Sequence, residues 1–159
     1  MSIKISEPIS VAVPRLSTRS PQMGEIRVKV KLTNAVDEEL ARAGKLSKDQ
    51  VRTYDADALV DTGAVRSVIP SHVVDRVGAT IRGKRVAEYA DGRKDEVGIT
   101  GAIIFEILGR DTLEEALVLG DEVLIRQTVL EKLDLLADCA NRRLIPNPAH
   151  PDQPVSKVK

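Results

Sequence analysis

The clearest periodic stretch is EIRVKVKL, residues 25–32, where Ile26, Val28, Val30 and Leu32 alternate with charged positions. A period of two puts the four apolar side chains on one face, so the stretch predicts a strand buried on one side and wetted on the other. The next apolar run, Ala58-Leu59-Val60, is shorter and stops at Asp61, which reads as a buried strand delivering its chain to a turn. Between the two lies DEELARAGKLSKDQVRTYDAD, residues 37–57, with a short helical pattern ending at Gly44 and a capping-box spacing from Ser47 to Gln50. It predicts an inserted loop between paired strands.

Beyond Asp61 the pattern changes period. PSHVVDRVG, residues 70–78, predicts a two-turn helix with Pro70 near its start and Gly78 as its stop. Residues 81–118 are rich in β-formers, and within them RVAEYADGRKDEV sets Asp91-Gly92 between two extended arms, the dipeptide that tight hairpins favour. TVLEKLDLL, residues 128–136, opens with Thr128 and Glu131 spaced as a capping box and keeps helical spacing at Val129, Leu130 and Leu133. It predicts a short helix ahead of the last strands. Residues 1–23 carry Pro8, Pro14 and Pro21 among Ser and Thr and predict an extended N-terminal arm. The folded unit then covers residues 24–146. Residues 147–159 predict a mobile, proline-rich tail, since the chain from Pro146 onward holds four of the eight prolines.

Composition removes several functions from consideration. The 159 residues suit one domain, and with 42% hydrophobic but only 2% aromatic residues the core must be built from Val, Leu, Ile and Ala. Basic and acidic residues balance at 24 each, with a pI near 6.7, so there is no charge footprint for nucleic acid or an anionic membrane, and few rings on which bases could stack. Cys139 is the only cysteine, which excludes an internal disulfide and fits a reducing, cytoplasmic setting. No run approaches the roughly 18 apolar residues that span a bilayer, and the N-terminus lacks the apolar centre of a signal peptide. His72 and His150 are too scattered to suggest a metal site or a thiol–imidazole pair with Cys139, and no phosphate-binding or dinucleotide fingerprint occurs.

The chemistry concentrates in ALVDTGAVRSVIP, residues 58–70. A carboxylate at the exit of an apolar strand costs desolvation that other turn-formers avoid, so Asp61 is either a turn residue or a reactive one. Three features together resemble the retropepsin-like aspartic peptidases, the single-domain relatives of pepsin-like enzymes. They are Asp61-Thr62-Gly63-Ala64 after an apolar strand, a hairpin carrying Tyr89 and Asp91-Gly92, and VLIRQTVLEKLDLLAD at residues 123–138. The resemblance runs through residues 24–146 in element order. It implies a mainly β fold with one or two short helices, a closed acid-protease-like β-barrel with one lobe per chain that pairs as a twofold homodimer. It also implies that Asp61 is catalytic, that Thr62, Gly63 and Ala64 support its loop, and that Tyr89, Ala90, Asp91, Gly92 and Arg93 form a flap over an extended polypeptide substrate. RRLIP and the N-terminal arm become candidate interface strands. Neither a metal nor a cofactor is implied.

The two-carboxylate mechanism explains the expected dimer. One ionised carboxylate takes a proton from water while its protonated neighbour donates to the carbonyl oxygen, so two must lie close enough to share one proton. This chain has a single Asp-Thr-Gly, and the second carboxylate must come from a second copy. The sequence departs from the family at Arg126, which follows Leu124-Ile125 where the family has Gly. Gln127 and Val65 likewise stand where the family often pairs an Arg with an Asp. Ile107-Leu108-Gly109-Arg110-Asp111 matches the family motif better by letter, but too little chain separates it from Asp61 to hold a helix, the flap and further strands. It is therefore expected to be a turn between strands at 103–108 and 113–118. Two readings remain open, an active aspartic endopeptidase and a catalytically weak or inactive dimer that binds peptides, with Arg126 as the disabling feature.

Overall fold

The computed structural model describes residues 25–63 and 66–158; the N-terminal arm, Ala64 and Val65 lie outside the described residues. Strand β1 (Ile26–Asn34) pairs antiparallel with β2 (Thr53–Val60) along nearly its whole length, from Ile26 opposite Val60 to Thr33 opposite Thr53. The expected alternation holds: Ile26, Val30 and Leu32 are buried while Arg27, Lys29 and Lys31 are exposed. Strand β2 starts well before the apolar run at Ala58. Its first half alternates exposed Asp55 and Asp57 with buried Ala56 and Ala58, and alanine gives little hydropathy contrast from which to read a strand.

The insertion between these strands is ordered by local hydrogen bonds. Helix α1 (Ala35–Arg42) is capped by Asn34, whose side-chain oxygen accepts the Asp37 N–H at 2.8 Å. A 3₁₀ turn at Lys48–Gln50 is closed by Gln50 Oε1, which accepts both the N–H (3.3 Å) and the hydroxyl (2.8 Å) of Ser47. Asp37 then ties the insertion to the start of β2. Its Oδ2 accepts from the Arg52 N–H (3.0 Å) and Nε (2.8 Å), and its Oδ1 from Nη2 (3.1 Å). Arg52 holds the buried Asp37 carboxyl below the usual carboxylate range.

The remaining elements are β3 (Val68–Ile69), α2 (Ser71–Val77), β4 (Ile81–Glu88), β5 (Lys94–Thr100), β6 (Ile103–Ile107), β7 (Arg110–Glu114), β8 (Leu117–Val118), β9 (Leu124–Ile125), α3 (Gln127–Leu133), β10 (Leu135–Asp138) and β11 (Arg143–Pro146). Nine strands form one sheet in the order β4-β5-β8-β3-β9-β2-β1-β6-β7, and β10 and β11 form a separate ribbon. The sheet curls as a half-barrel, so the closure expected from the sequence is a curl that leaves β4 and β7 as edges. Among the described residues there are three short α-helices rather than one or two, α1 being the helical pattern that precedes Gly44. None is long and apolar enough to cross a membrane.

The strand expected at 113–118 is broken, with β7 ending at Glu114 and β8 beginning at Leu117. Glu114 is buried and accepts from Lys132 Nζ and from the Thr128 hydroxyl, both at 2.8 Å. That engagement explains why Thr128 does not cap α3, whose N-cap residue is Arg126. Helix α2 ends as expected, with Gly78 in the left-handed region at φ 70°. Residues 147–155, expected to be mobile, run past Asp134, which accepts from Asn147 Nδ2 (3.0 Å) and the Val155 N–H (3.1 Å) and lies 2.6 Å from His150 Nδ1.

Two apolar clusters hold the sheet. The larger joins residues such as Leu32, Ile103, Phe105, Ile107, Val129 and Leu133, and the smaller joins Leu59, Val68, Ala87, Ile99, Leu117 and Leu124 from six different strands. Each fully buried Leu, Ile or Phe among them contributes about 1.5–3 kcal/mol. Leu59 and Leu124 place the second cluster directly behind the end of β2.

Candidate active site

Strands β2 and β3 are consecutive in the chain but not adjacent in the sheet, because β9 lies between them. β9 runs parallel to β2, with Leu59 opposite Leu124 and Val60 opposite Ile125. The next residue on each strand is therefore Asp61 on one and Arg126 on the other. Backbone bonds lock this register: Leu59 N–H donates to Val123 O at 3.0 Å and Asp61 N–H to Ile125 O at 2.8 Å. The chain leaves β2 at Asp61 and must pass over β9 to reach Val68, which makes the Asp61 turn a crossing loop held on both flanks.

Within that turn Asp61 Oδ1 accepts the Gly63 N–H at 3.0 Å. A Cβ at Gly63 would sit 3.2 Å from the same oxygen, closer than a side chain comfortably approaches, so glycine here permits the tight contact. Thr62 is exposed and makes no hydrogen bond to Asp61 in a single copy. Ser67, at the far end of the loop, is fully buried; its backbone oxygen accepts from Leu117 N–H at 3.0 Å, while its hydroxyl has no partner among the described residues. Nothing in the sequence marked Ser67, since a serine between Arg66 and Val68 reads as an ordinary loop residue.

Arg126 comes to the second oxygen. Its Nη1 lies 3.0 Å from Asp61 Oδ2, an ion-pair contact without hydrogen-bond alignment. The Arg126 side chain has no solvent exposure, whereas that of Asp61 keeps 25%. Burial pushes the Arg126 guanidinium below its ordinary range, and the Asp61 charge pulls part of that shift back. Nε, Nη1 and Nη2 all lack a hydrogen-bond partner among the described residues. Both carboxylate oxygens of Asp61 are thus engaged, one by a backbone donor and one by a buried cation.

The expected hairpin forms between β4 and β5, paired from Ile81 opposite Thr100 to Glu88 opposite Lys94. At its tip Tyr89 N–H donates to Arg93 O (2.7 Å), Gly92 N–H to Tyr89 O (2.9 Å) and Arg93 N–H to Asp91 Oδ1 (2.9 Å), with Gly92 at φ 88°. The Arg93 guanidinium lies 4.3 Å from the centroid of the half-buried Tyr89 ring. Burial and a hydrogen bond to Asp95 push the Tyr89 phenol up. Ala90 is exposed at the tip. Asp61, Gly63 and Arg126 therefore form one group and Tyr89 to Arg93 another, and the bonds that close the hairpin tip stay within Tyr89 to Arg93.

The rival register does not approach this site. Leu108 and Gly109, with φ of 53° and 78°, make the two-residue turn between β6 and β7. Arg110 is buried beyond it and donates to Leu133 O (3.0 Å), Asp134 O (2.9 Å) and His150 O (2.7 Å), closing the end of α3. Cys139 is exposed, and the two histidines are engaged elsewhere, His72 edge-on to Tyr54 and His150 beside Asp134.

This arrangement, a curled sheet whose inserted strand cradles an Asp-Thr-Gly loop, is a retropepsin-like fold. The crystal structure of the retroviral protease-like domain of Ddi1 from Leishmania major superposes with a TM-score of 0.50, covering 87% of this chain and 96% of that one at 13% identity. The solution structure of Simian Foamy Virus (mac) protease matches 65% of this chain and 90% of that one, with a TM-score of 0.43 and 13% identity. No family model and no curated protein sequence matches the chain.

Proposed function

We propose that two copies of this chain form an aspartic endopeptidase in which a water held between two Asp61 carboxylates attacks a peptide carbonyl. One carboxylate takes the proton from the water and the other, protonated, donates to the carbonyl oxygen. The observation that carries this reading is the Asp61-Thr62-Gly63 loop at the exit of β2, set against β9 in a retropepsin-like fold. The reaction supplies its own acid and base, so it calls for no metal or cofactor. The hairpin from Tyr89 to Arg93 is read as a flap that lies over an extended polypeptide and excludes water. Cytoplasmic placement fits the exposed thiol of Cys139.

The contact between Arg126 and Asp61 favours a second reading, a dimer that keeps the peptide groove but hydrolyses weakly or not at all. Hydrolysis of an unfolded protein substrate, with and without a transition-state-mimicking aspartic-peptidase inhibitor, separates the two. Inhibitor-sensitive cleavage that disappears in Asp61→Asn supports the enzyme. Peptide binding without cleavage supports the binding module.

A further inference from the structure

Arg126 enters the Asp61 loop from a fixed base. It is the N-cap residue of α3, its carbonyl accepts the Val129 N–H at 3.2 Å, and the preceding Ile125 carbonyl accepts from Asp61. The backbone at Arg126 is still extended (φ −106°, ψ 177°), so strand alternation sends its side chain to the side of Leu124, part of the smaller apolar cluster. An apolar cluster offers no acceptor to a guanidinium. Among the described residues the only ionic partner of Arg126 is Asp61, and the only charged group in contact with Asp61 is Arg126.

We propose that Arg126 is a positioning residue that clamps the Asp61 carboxylate from inside the fold and so restrains hydrolysis. The proposal rests on the reading of Asp61 as the hydrolytic carboxylate. Hydrolysis needs Asp61 oxygens free to face the attacking water, and Arg126 Nη1 stands 3.0 Å from Oδ2. The clamp occupies Oδ2 while the Gly63 N–H occupies Oδ1, so water must compete at both oxygens. Because its side chain has no exposure, Arg126 acts through Asp61 rather than on substrate.

The test compares Arg126→Met, which keeps length without charge, Arg126→Gly, which removes both, and Arg126→Lys, which keeps a cation. Initial rates are measured on one unfolded protein substrate at a single acidic pH and equal dimer concentration. The Met and Gly variants should gain about tenfold or more in kcat with little change in KM, a split that loss of packing alone would not give. The Lys variant should gain much less. Equal or slower turnover in both Met and Gly, or a gain in Gly but not in Met, overturns the charge clamp. If wild type and all variants are inert, the peptidase reading fails and the clamp is judged on urea midpoints alone. Asp61→Asn should lower the midpoint and Arg126→Met added to it should restore part of the loss; purely additive shifts would overturn the clamp as well.

Discussion

Exchanging Asp61 for Asn keeps the shape of the side chain and should nevertheless destabilise the domain, because it strips a fully buried guanidinium of its anion. At the observed 3.0 Å separation two unit charges attract by about 5 kcal/mol for an effective dielectric near 20. Both charges are delocalised, so about 4 kcal/mol, the value for roughly 4 Å, is the better figure. Against this stands the desolvation of Arg126, several kcal/mol for an ion removed from water. The pair as a whole therefore contributes little net stability, in keeping with burial outweighing the Asp61 attraction at the Arg126 guanidinium. Removing only the anion leaves the desolvation uncompensated, which typically costs about 3–5 kcal/mol. The Asn carbonyl oxygen still offers a dipole, which brings the expected loss to about 2–4 kcal/mol.

Removing the cation is different. Asp61 retains a quarter of its exposure and can be hydrated, and Met fills the space of the Arg stem, so Arg126→Met should change stability by about 1 kcal/mol or less. The double variant should resemble Arg126→Met, which gives a coupling of about 2–4 kcal/mol. Urea unfolding at neutral pH measures all four proteins, at one protomer concentration so that the mass-action term of assembly is the same for each. With slopes of about 1–3 kcal/mol per molar urea, Asp61→Asn should move the midpoint by about 1 M or more. Additivity within about 0.5 kcal/mol would refute the reasoning and mean that the two charges do not interact in solution.

Three further outcomes are expected. If each catalytic centre needs two Asp61 residues, sedimentation should find dimers wherever activity is found, and full activity of a species that sediments as monomer would contradict it. Arg52 holds the Asp37 carboxyl below its unfolded value, so the stability it confers is present above about pH 4 and is lost as pH falls through the folded-state pKa. The gap in urea midpoint between wild type and Asp37→Asn should accordingly be open at pH 7 and narrow towards pH 3; a gap that stays constant would show that the ion pair is not its source. Gly63→Ala places a methyl 3.2 Å from Asp61 Oδ1 and should reduce hydrolysis far more than it lowers the urea midpoint, whereas unchanged kcat would mean that the loop gives way without moving the carboxylate.

What was legible in the sequence followed from local chemistry. The alternation in residues 25–32, the Asp91-Gly92 turn and the Gly78 stop each depend on side chains within one element, and each forms where the pattern places it. The features that escaped depend on partners far along the chain. Thr128 is spaced as a cap for its own helix, yet its hydroxyl serves Glu114 on β7, and Arg110 lies in a stretch that matches a family motif by letter but closes the end of α3. The first half of β2 escaped for another reason, because Ala56 buries too little surface to stand out between Asp55 and Asp57.

Arg126 joins both kinds of information. Its letter departs from the family pattern, and a side chain there can turn out to water or in against the Asp61 loop. The pairing of β9 with β2 decides between them, since Val60 opposite Ile125 sets the next residues side by side and strand alternation turns Arg126 inward. Once inside, a guanidinium without other acceptors has only the Asp61 carboxylate within reach among the described residues. A substitution at the position where the resembled family has Gly thus places a buried cation against one oxygen of Asp61. Under the proposed function, the contact between Nη1 of Arg126 and Oδ2 of Asp61 is what separates the peptidase reading from the peptide-binding one, and it can be removed without touching Asp61 itself.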